Sequence, residues 1–213
     1  MKQNEFSVRL WSALTNTATR DFMVMPDGAI SYAVLRDGIN RWLGAFDSAG
    51  LRPGDRIVVR TDRDDVAATA FLAGLLDGIV PVLLEGTCPD TRLSSIVSAV
   101  APGLVLSDRP LPELPEGTAP VLLDPPATSR GFFRRRPTRN FGIVTAPAAR
   151  APGLPSDGEY GGLAYLLFTS GTTAAPSGVQ ISRSNLSANL DTLTRLFGYD
   201  SDSRIFNDMV LAH

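Results

Sequence analysis

Four hydroxyl side chains next to one glycine are the feature of this sequence best suited to binding a ligand. They lie in Thr169-Ser170-Gly171-Thr172-Thr173, directly after the apolar run from Leu163 to Phe168. Glycine lets a ligand approach the backbone closely, and turns of this kind point successive N–H groups into a concavity that binds anions. The sequence therefore predicts a polyphosphate-binding loop between two strands, and the alternative is a polar turn without a ligand.

The segment from residue 167 to residue 186 resembles the phosphate-binding signature of the adenylate-forming superfamily. That superfamily includes acyl- and aryl-CoA synthetases, luciferases and the adenylation domains of peptide synthetases. The usual sequence of this signature is Thr-Ser-Gly-Thr-Thr-Gly-x-Pro-Lys-Gly-Val, followed by a strand and a His-x-Asn-Leu segment. The matching positions are Thr169 to Thr173, Pro176, Gly178, Val179, Asn185 and Leu186. Three positions differ, since Ala174 replaces Gly, Ser177 replaces Lys and Ser184 replaces His.

Shorter stretches earlier in the chain resemble the same superfamily. They are Ser31-Tyr32-x-x-Leu35 with Asn40, the turn from Leu51 to Arg56, and Gly78-x-Val80-Pro81. The resemblance therefore covers most of residues 20–106 and 163–213. It implies the front part of the large domain of an adenylate-forming enzyme.

The resemblance implies ATP-dependent activation of a carboxylic acid by an acid–thiol ligase of the acyl-CoA synthetase type. Carboxylate oxygen attacks the α-phosphorus of ATP to give an acyl-adenylate and pyrophosphate, and the thiol of CoA or of a phosphopantetheine carrier commonly displaces AMP. The groups implied to hold the phosphates of ATP, together with Mg²⁺, are Thr169, Ser170, Gly171, Thr172, Thr173 and Ser177. This displacement needs positioning and charge neutralisation rather than a protein nucleophile, so we assign no catalytic residue and no metal ligand. His213 would match the residue that the superfamily places at the acyl pocket.

Ser177 is the most informative departure from the signature. A lysine there would offer a mobile positive charge to the polyphosphate, whereas serine offers only a hydroxyl. Compensation by the nearby Arg183 or by Mg²⁺ is one interpretation. The other is a degenerate copy that binds polyphosphate without catalysis.

Composition argues against several other classes of function. The chain has 213 residues, a formal net charge of −2, one cysteine and one histidine. This charge provides no field for nucleic acid, a single cysteine forms no internal disulfide, and a His/Cys metal site lacks ligands. The first residues lack the apolar core of a signal peptide and no apolar run is long enough to span a membrane, so we expect a cytoplasmic protein.

Alternating strand and helix patterns predict an α/β fold with a parallel-rich sheet and flanking helices. Strands are expected at 56–60, 79–84 and 104–106, with helices at 66–76 and 91–100 between them. Ser31 is expected to cap one helix and Gly78 to end another. Pro81 lies inside the second strand, which predicts a sheet edge or a strand end there.

Three segments are distinguished along the chain. Residues 1–108 form a first α/β segment, 109–160 a Pro/Arg-rich irregular connection, and 161–213 a truncated strand–loop–strand–helix segment. Within the connection lie five arginines, at positions 130, 134, 135, 136 and 139. They are interpreted either as a solvated loop or as a basic patch for phosphate, CoA or an acyl carrier protein.

The resemblance also implies that the residues holding adenine, ribose and Mg²⁺, and a catalytic lysine, come from later sequence. No segment of this chain matches them. We therefore expect an N-terminal fragment that is inactive by itself. The residues present do not identify its acyl substrate. The alternatives are a non-catalytic polyphosphate-binding module and a carrier-protein interaction module.

We expect brief trypsin treatment to cut first between Arg130 and Arg139. Ten of the sixteen prolines lie in residues 110–155, and few apolar anchors there offset the entropy of ordering. Mass spectrometry of the first fragments checks this. First cleavage at Arg56 or Arg92, with the arginine cluster protected, would contradict it.

Overall fold

Five helices and eight strands build the part of the chain that the computed structural model describes, namely residues 3–17, 19–25, 28–122, 162–168 and 177–207. The helices are α1 (Gln3–Asn16), α2 (Tyr32–Ser48), α3 (Asp64–Asp77), α4 (Asp90–Val100) and α5 (Arg183–Phe197). The strands are β1 (Asp21–Met25), β2 (Gly28–Ser31), β3 (Arg56–Arg60), β4 (Val80–Leu84), β5 (Leu104–Ser107), β6 (Ala119–Leu122), β7 (Leu163–Phe168) and β8 (Gly178–Ser182).

Six strands form one mixed sheet in the order β6-β5-β3-β4-β7-β8, and β1 and β2 form a separate antiparallel hairpin. The pairs β3–β4, β3–β5, β4–β7 and β5–β6 are parallel, and β7–β8 is antiparallel. The predicted α/β class with a parallel-rich sheet is therefore confirmed. Because β7 pairs with β4, strands from the first and third segments of the chain belong to the same sheet.

Helices cover both faces of this sheet, as the alternation of side chains along β3 requires. Ile57 and Val59 are fully buried in the cluster that contains the apolar faces of α1, α2 and α3. Val58, between them, is fully buried on the opposite face among residues of α4. Strands buried on both faces read as continuous apolar runs, which is why β3 shows no polar alternation at its centre.

Helix boundaries follow the expected chemistry at two positions. The side chain of Ser31 accepts a hydrogen bond from the backbone N–H of Val34 and caps the start of α2. Gly78 ends α3 in the left-handed conformation, with φ of 77°. Both predictions are confirmed.

Of the two expectations for Pro81, the sheet edge is wrong, whereas the strand end is confirmed, because Pro81 is the second residue of β4. Its strand, β4, lies between β3 and β7 in the interior of the sheet, and Pro81 is the partner of Ile57. The ladder between β4 and β7 consists of the single pair Val82–Leu166. Pro81 therefore has no partner on β7, and a residue without an N–H is tolerated inside the sheet.

Gly74→Ala is expected to destabilise the protein although alanine is the better helix former. A Cβ added at Gly74 would lie 2.8 Å from the carbonyl oxygen of Ile79 and 3.1 Å from Cδ of Pro81. We expect a loss of about 1–3 kcal/mol in the free energy of unfolding, as for other overpacked sites. Urea denaturation measures it, with Ser98→Ala on the exposed face of α4 as the control. A Gly74→Ala protein as stable as the wild type would contradict the close approach of α3 to β4.

Candidate phosphate-binding site

The two strands that flank the predicted phosphate loop form an antiparallel hairpin. Phe168, at the end of β7, is the partner of Gly178, at the start of β8, so residues 169–177 connect two paired positions. A Cβ added at Gly178 would lie 3.0 Å from Cζ of Phe168, and glycine therefore lets the aromatic ring cover the base of the hairpin. Ser177, next to this glycine, is exposed.

This base of the hairpin lies at the carboxyl edge of the parallel strands. β7 runs parallel to β4, so Phe168 and Leu84 end at the same edge of the sheet. In open α/β sheets, ligands bind in the crevice outside the carboxyl ends of the strands. The location therefore suits a ligand site.

A buried arginine organises the turns along the same edge. Arg60, at the end of β3, is 2% exposed. It donates hydrogen bonds to Ser107 Oγ (3.0 Å), Asp90 Oδ1 (2.6 Å), the Pro110 carbonyl (2.6 Å) and the Cys88 carbonyl (3.4 Å). A buried guanidinium is stable only when its donors find acceptors, so this set of contacts fixes the start of α4 and the turn after β5.

Arg92, in the first turn of α4, contacts the base of the hairpin directly. Its Nη2 donates to the carbonyl oxygen of Phe168 at 3.4 Å. Its charge is also felt by Cys88, since burial raises the pKa of that thiol while Arg92 and then Arg60 oppose the increase. No sequence pattern connects Arg92 to Phe168, which lies 76 positions later at the end of β7.

The start of α5 explains why an asparagine belongs in the motif after β8. Ser182 accepts a hydrogen bond from the backbone N–H of Asn185, and the Asn185 side chain accepts from the backbone N–H of Ser182. The two residues form a reciprocal cap. Ser184 occupies the position where the superfamily has histidine. Its Oγ lies 2.8 Å from Oγ of Ser182, within hydrogen-bond distance.

Arg183 does not compensate for the missing lysine at position 177, contrary to one interpretation of the sequence. It is 3% exposed, and its guanidinium donates to Ser7 Oγ at 3.0 Å and to the Leu75 carbonyl. These partners belong to α1 and α3, away from the base of the hairpin. Its own backbone N–H donates to Gly162 at 2.8 Å, so Arg183 anchors the far end of the hairpin to the helical layer.

An apolar pocket of about 310 Å³ lies beside the hairpin, between β1, α3 and β7. Its lining comprises Phe22, Met23, Ala67, Ala68, Phe71, Leu72, Leu83, Tyr165, Leu166 and Leu167. Among the described residues of this lining, the one side-chain hydroxyl belongs to Tyr165, whose pKa is raised by burial. Because these residues include no charged group, the part of the wall that they form is unsuited to phosphate.

Several predicted site residues lie outside the described residues. They are Thr169, Ser170, Gly171, Thr172 and Thr173 of the loop, His213, and the arginines between positions 130 and 139. Within the described ranges, no group of three or more His, Cys, Asp or Glu side chains is placed to hold a metal ion. No helix among these same residues combines the length and apolar character needed to cross a membrane.

Comparison with known proteins identifies relatives of the whole chain. The sequence profile of a family described as AMP-binding enzyme matches residues 10–213. A nonribosomal peptide synthetase, GRA1 of Gibberella zeae, is 30% identical over 84% of this chain and 2% of its own length. An L-proline–[L-prolyl-carrier protein] ligase of Pseudomonas fluorescens is 28% identical over 93% of this chain and 39% of its own length.

A solved structure supports the fold independently. O-succinylbenzoate coenzyme A synthetase of Bacillus subtilis, in complex with AMP, superposes with a TM-score of 0.74 at 18% identity. The match covers 96% of this chain and 49% of the solved chain. The chain thus spans less than half the length of these relatives, and the predicted resemblance to the adenylate-forming superfamily is confirmed.

Arg183→Ala is expected to lower stability much more than Arg195→Ala on the same helix. The first change leaves the Leu75 carbonyl and Ser7 without their buried donor, which costs about 1–3 kcal/mol in the free energy of unfolding. Arg195 is exposed and donates to the Asp191 carbonyl one turn earlier, so its loss is expected to change stability by no more than about 0.5 kcal/mol. Urea denaturation of both variants measures the difference. Equal losses would show that Arg183 does not anchor the hairpin.

Proposed function

Because this chain belongs to the AMP-binding enzyme family, we propose that it contributes the phosphate-binding part of an enzyme that activates a carboxylic acid with ATP. The carboxylate attacks the α-phosphorus, an acyl-adenylate forms, and pyrophosphate leaves. We further propose that the chain is part of a longer protein, since it spans less than half the length of these relatives. The 213 residues by themselves are expected to be inactive.

The observation that carries this proposal is the meeting of Phe168 and Gly178 at the carboxyl edge of the sheet. The residues that connect them include four hydroxyls and Gly171. We propose that Thr169, Ser170, Thr172 and Thr173, with the backbone of Gly171, donate hydrogen bonds to the β- and γ-phosphates and to the departing pyrophosphate. Donors aimed at charge that develops in the transition state make the largest contribution to such a reaction. Ser177 lies at the end of this loop and adds one more hydroxyl.

We propose Mg²⁺ as the companion of ATP, because hard cations prefer oxygen ligands and the phosphates supply them. When bound, it neutralises negative charge on the transferring group. The loop hydroxyls are suitable neighbours for it, and no ligand is assigned among the described residues. The protein's own contribution is to hold the phosphates in line with the attacking carboxylate.

We propose a thiol as the acceptor of the acyl group, either of CoA or of a phosphopantetheine on a carrier protein. The relatives support both, since one is a prolyl-carrier protein ligase and another a coenzyme A synthetase. The relatives named as a nonribosomal peptide synthetase and as an L-proline–[L-prolyl-carrier protein] ligase favour an amino acid as the carboxylic acid. The fatty or aryl acid suggested by the acyl-CoA synthetases is the second candidate. A pyrophosphate-release screen of amino, fatty and aryl acids with the longer protein distinguishes them.

Thr172→Ala and Thr173→Ala are expected to slow adenylate formation by the longer protein about 10²–10³-fold, the usual cost of removing a donor to developing charge. Ser177→Ala is expected to be mild and Ser177→Lys neutral or faster. Carboxylate-dependent exchange of labelled pyrophosphate into ATP, at constant Mg²⁺, measures all four.

Thr192→Ala is the matched control, because Thr192 is exposed on α5 and its hydroxyl donates to the carbonyl of Ala188 in the same helix. It should leave the exchange rate unchanged. If Ser177→Ala is the most damaged variant while both loop threonine variants keep near-normal turnover, the phosphate-binding assignment is wrong.

A further inference from the structure

We propose that the second half of α5 and the segment after it form a docking surface for the part of the longer protein that lies outside these 213 residues. The inference rests on the proposal that the chain is part of a longer protein. It does not depend on the chemistry assigned to the phosphate loop. We call this region the α5 surface, and its side chains are Leu190, Leu196, Phe197, Tyr199, Ile205 and Phe206.

The α5 surface consists of large apolar side chains that are exposed. Leu196 is 72% exposed and Phe197 60%, and beyond the helix Phe206 is 90% exposed. Phe197 and Tyr199 stack with their ring centroids 5.5 Å apart, so these two rings present one aromatic patch. Contiguous exposed apolar patches on soluble proteins mark interaction sites.

The composition of α5 is that of a helix packed along its whole length. Its buried residues, Arg183 and Ser187, both lie in its first half. Four of the eight residues from Leu190 to Phe197 are leucine or phenylalanine, and two are charged. Because most of the stability of a helix in a protein comes from packing of its apolar face, the second half of α5 is built to meet a partner.

The α5 surface is held in a defined position at both ends of the helix. The reciprocal cap of Ser182 and Asn185 fixes the start, and Gly198 ends the helix in the left-handed conformation, with φ of 66°. Arg20, directly before β1, donates to Asp202 at 2.7 Å and joins the turn after α5 to the first hairpin. A surface arranged in advance loses less entropy when it is covered.

The apolar area without cover extends beyond α5. The pocket of about 310 Å³ between β1, α3 and β7 lies on the face of the sheet that carries α3. α5 is anchored to the same face, since Arg183 donates to the Leu75 carbonyl of α3. A partner that spreads over this face would bury both the pocket and the α5 surface.

Two observations favour the rest of the longer protein as this partner. The prolyl-carrier protein ligase and the coenzyme A synthetase are matched over 39% and 49% of their lengths, so more than half of each lies outside the match. The α5 surface also has few charges, with Asp191 and Arg195 as the charged side chains between Leu190 and Phe197. Permanent contacts resemble the core of a domain, whereas transient contacts are more polar.

The first test is hydroxyl-radical footprinting of the wild-type longer protein, which reports the solvent exposure of individual side chains. Phe46 is the matched control, because it is the same residue type and is fully buried. Phe197 and Phe206 are expected to be oxidised as slowly as Phe46, at least about tenfold slower than in the urea-unfolded protein, since a packed segment opens only transiently. Oxidation of both at the rate of the unfolded protein, with Phe46 protected, would overturn the proposal.

Dilution distinguishes the proposed partner from a second copy of the chain. Contacts within one polypeptide do not depend on concentration, so the protection of Phe197 and Phe206 is expected to stay constant over an about 100-fold range of protein concentration. Protection that disappears on dilution would identify a second copy as the occupant and would overturn the proposal.

Leu196→Ala in the longer protein provides an energetic test. Its matched control is Val24→Ala on β1, where the side chain is 75% exposed, close to the 72% of Leu196. If the α5 surface is covered, Leu196→Ala should lower the urea midpoint by about 0.5–1 M, as for truncation of a buried leucine. Val24→Ala should change it much less. A midpoint that falls no further for Leu196→Ala than for Val24→Ala would contradict the proposal.

These measurements separate the docking surface from the proposed function, because none of them needs turnover. If the longer protein forms no adenylate with any acid while Phe197 and Phe206 are protected, the proposed function is wrong and the docking surface stands. If adenylate forms while both side chains react as in the unfolded protein, the docking surface alone is wrong.

Discussion

The buried guanidinium of Arg60 is the contact on which the carboxyl edge of this sheet depends. It is 2% exposed and joins β3 to the turn after β4, to the start of α4 and to the segment after β5. Removing a charge from water is costly, so the native state must supply nearly all of its hydrogen bonds. The fully buried hydroxyl of Ser107 would in turn lose this partner without it. The arrangement therefore holds as a unit and fixes three turns relative to one another.

A second polar network extends this order across the neighbouring turns. Asp62 accepts hydrogen bonds from the backbone N–H of Gly86 at 2.9 Å and from Arg109 at 2.9 Å. Thr61 donates to Asp108 at 2.8 Å. The turns after β3, β4 and β5 are thus tied together by side chains rather than by ladder hydrogen bonds. A rigid edge of this kind suits the family's chemistry, which depends on positioning.

Two residues of the signature region turn out to have structural roles. Asn185 completes the cap of α5, and Arg183 connects the start of that helix to α1 and α3. Both act behind the hairpin rather than on a ligand. The base of the hairpin is contacted from a different helix, since Arg92 of α4 donates to the carbonyl oxygen of Phe168. A signature thus combines residues for the ligand with residues that hold the loop in place.

The sequence by itself determined the local elements, the fold class and the family. Apolar periodicity, a serine at the start of α2 and Gly78 at the end of α3 are local signals, and each acts over a few residues. The order of hydroxyls and glycine in the loop is equally local, which is why it identified the superfamily without a structure. The tertiary structure decided which strands are central and which helix contacts the base of the hairpin. Pro81 is tolerated inside the sheet because the ladder between β4 and β7 pairs Val82 with Leu166 and leaves Pro81 without a partner on β7. Arg92 approaches Phe168 because β4 and β7 lie side by side. Such contacts join residues far apart in the chain, and no pattern in a few consecutive residues contains them.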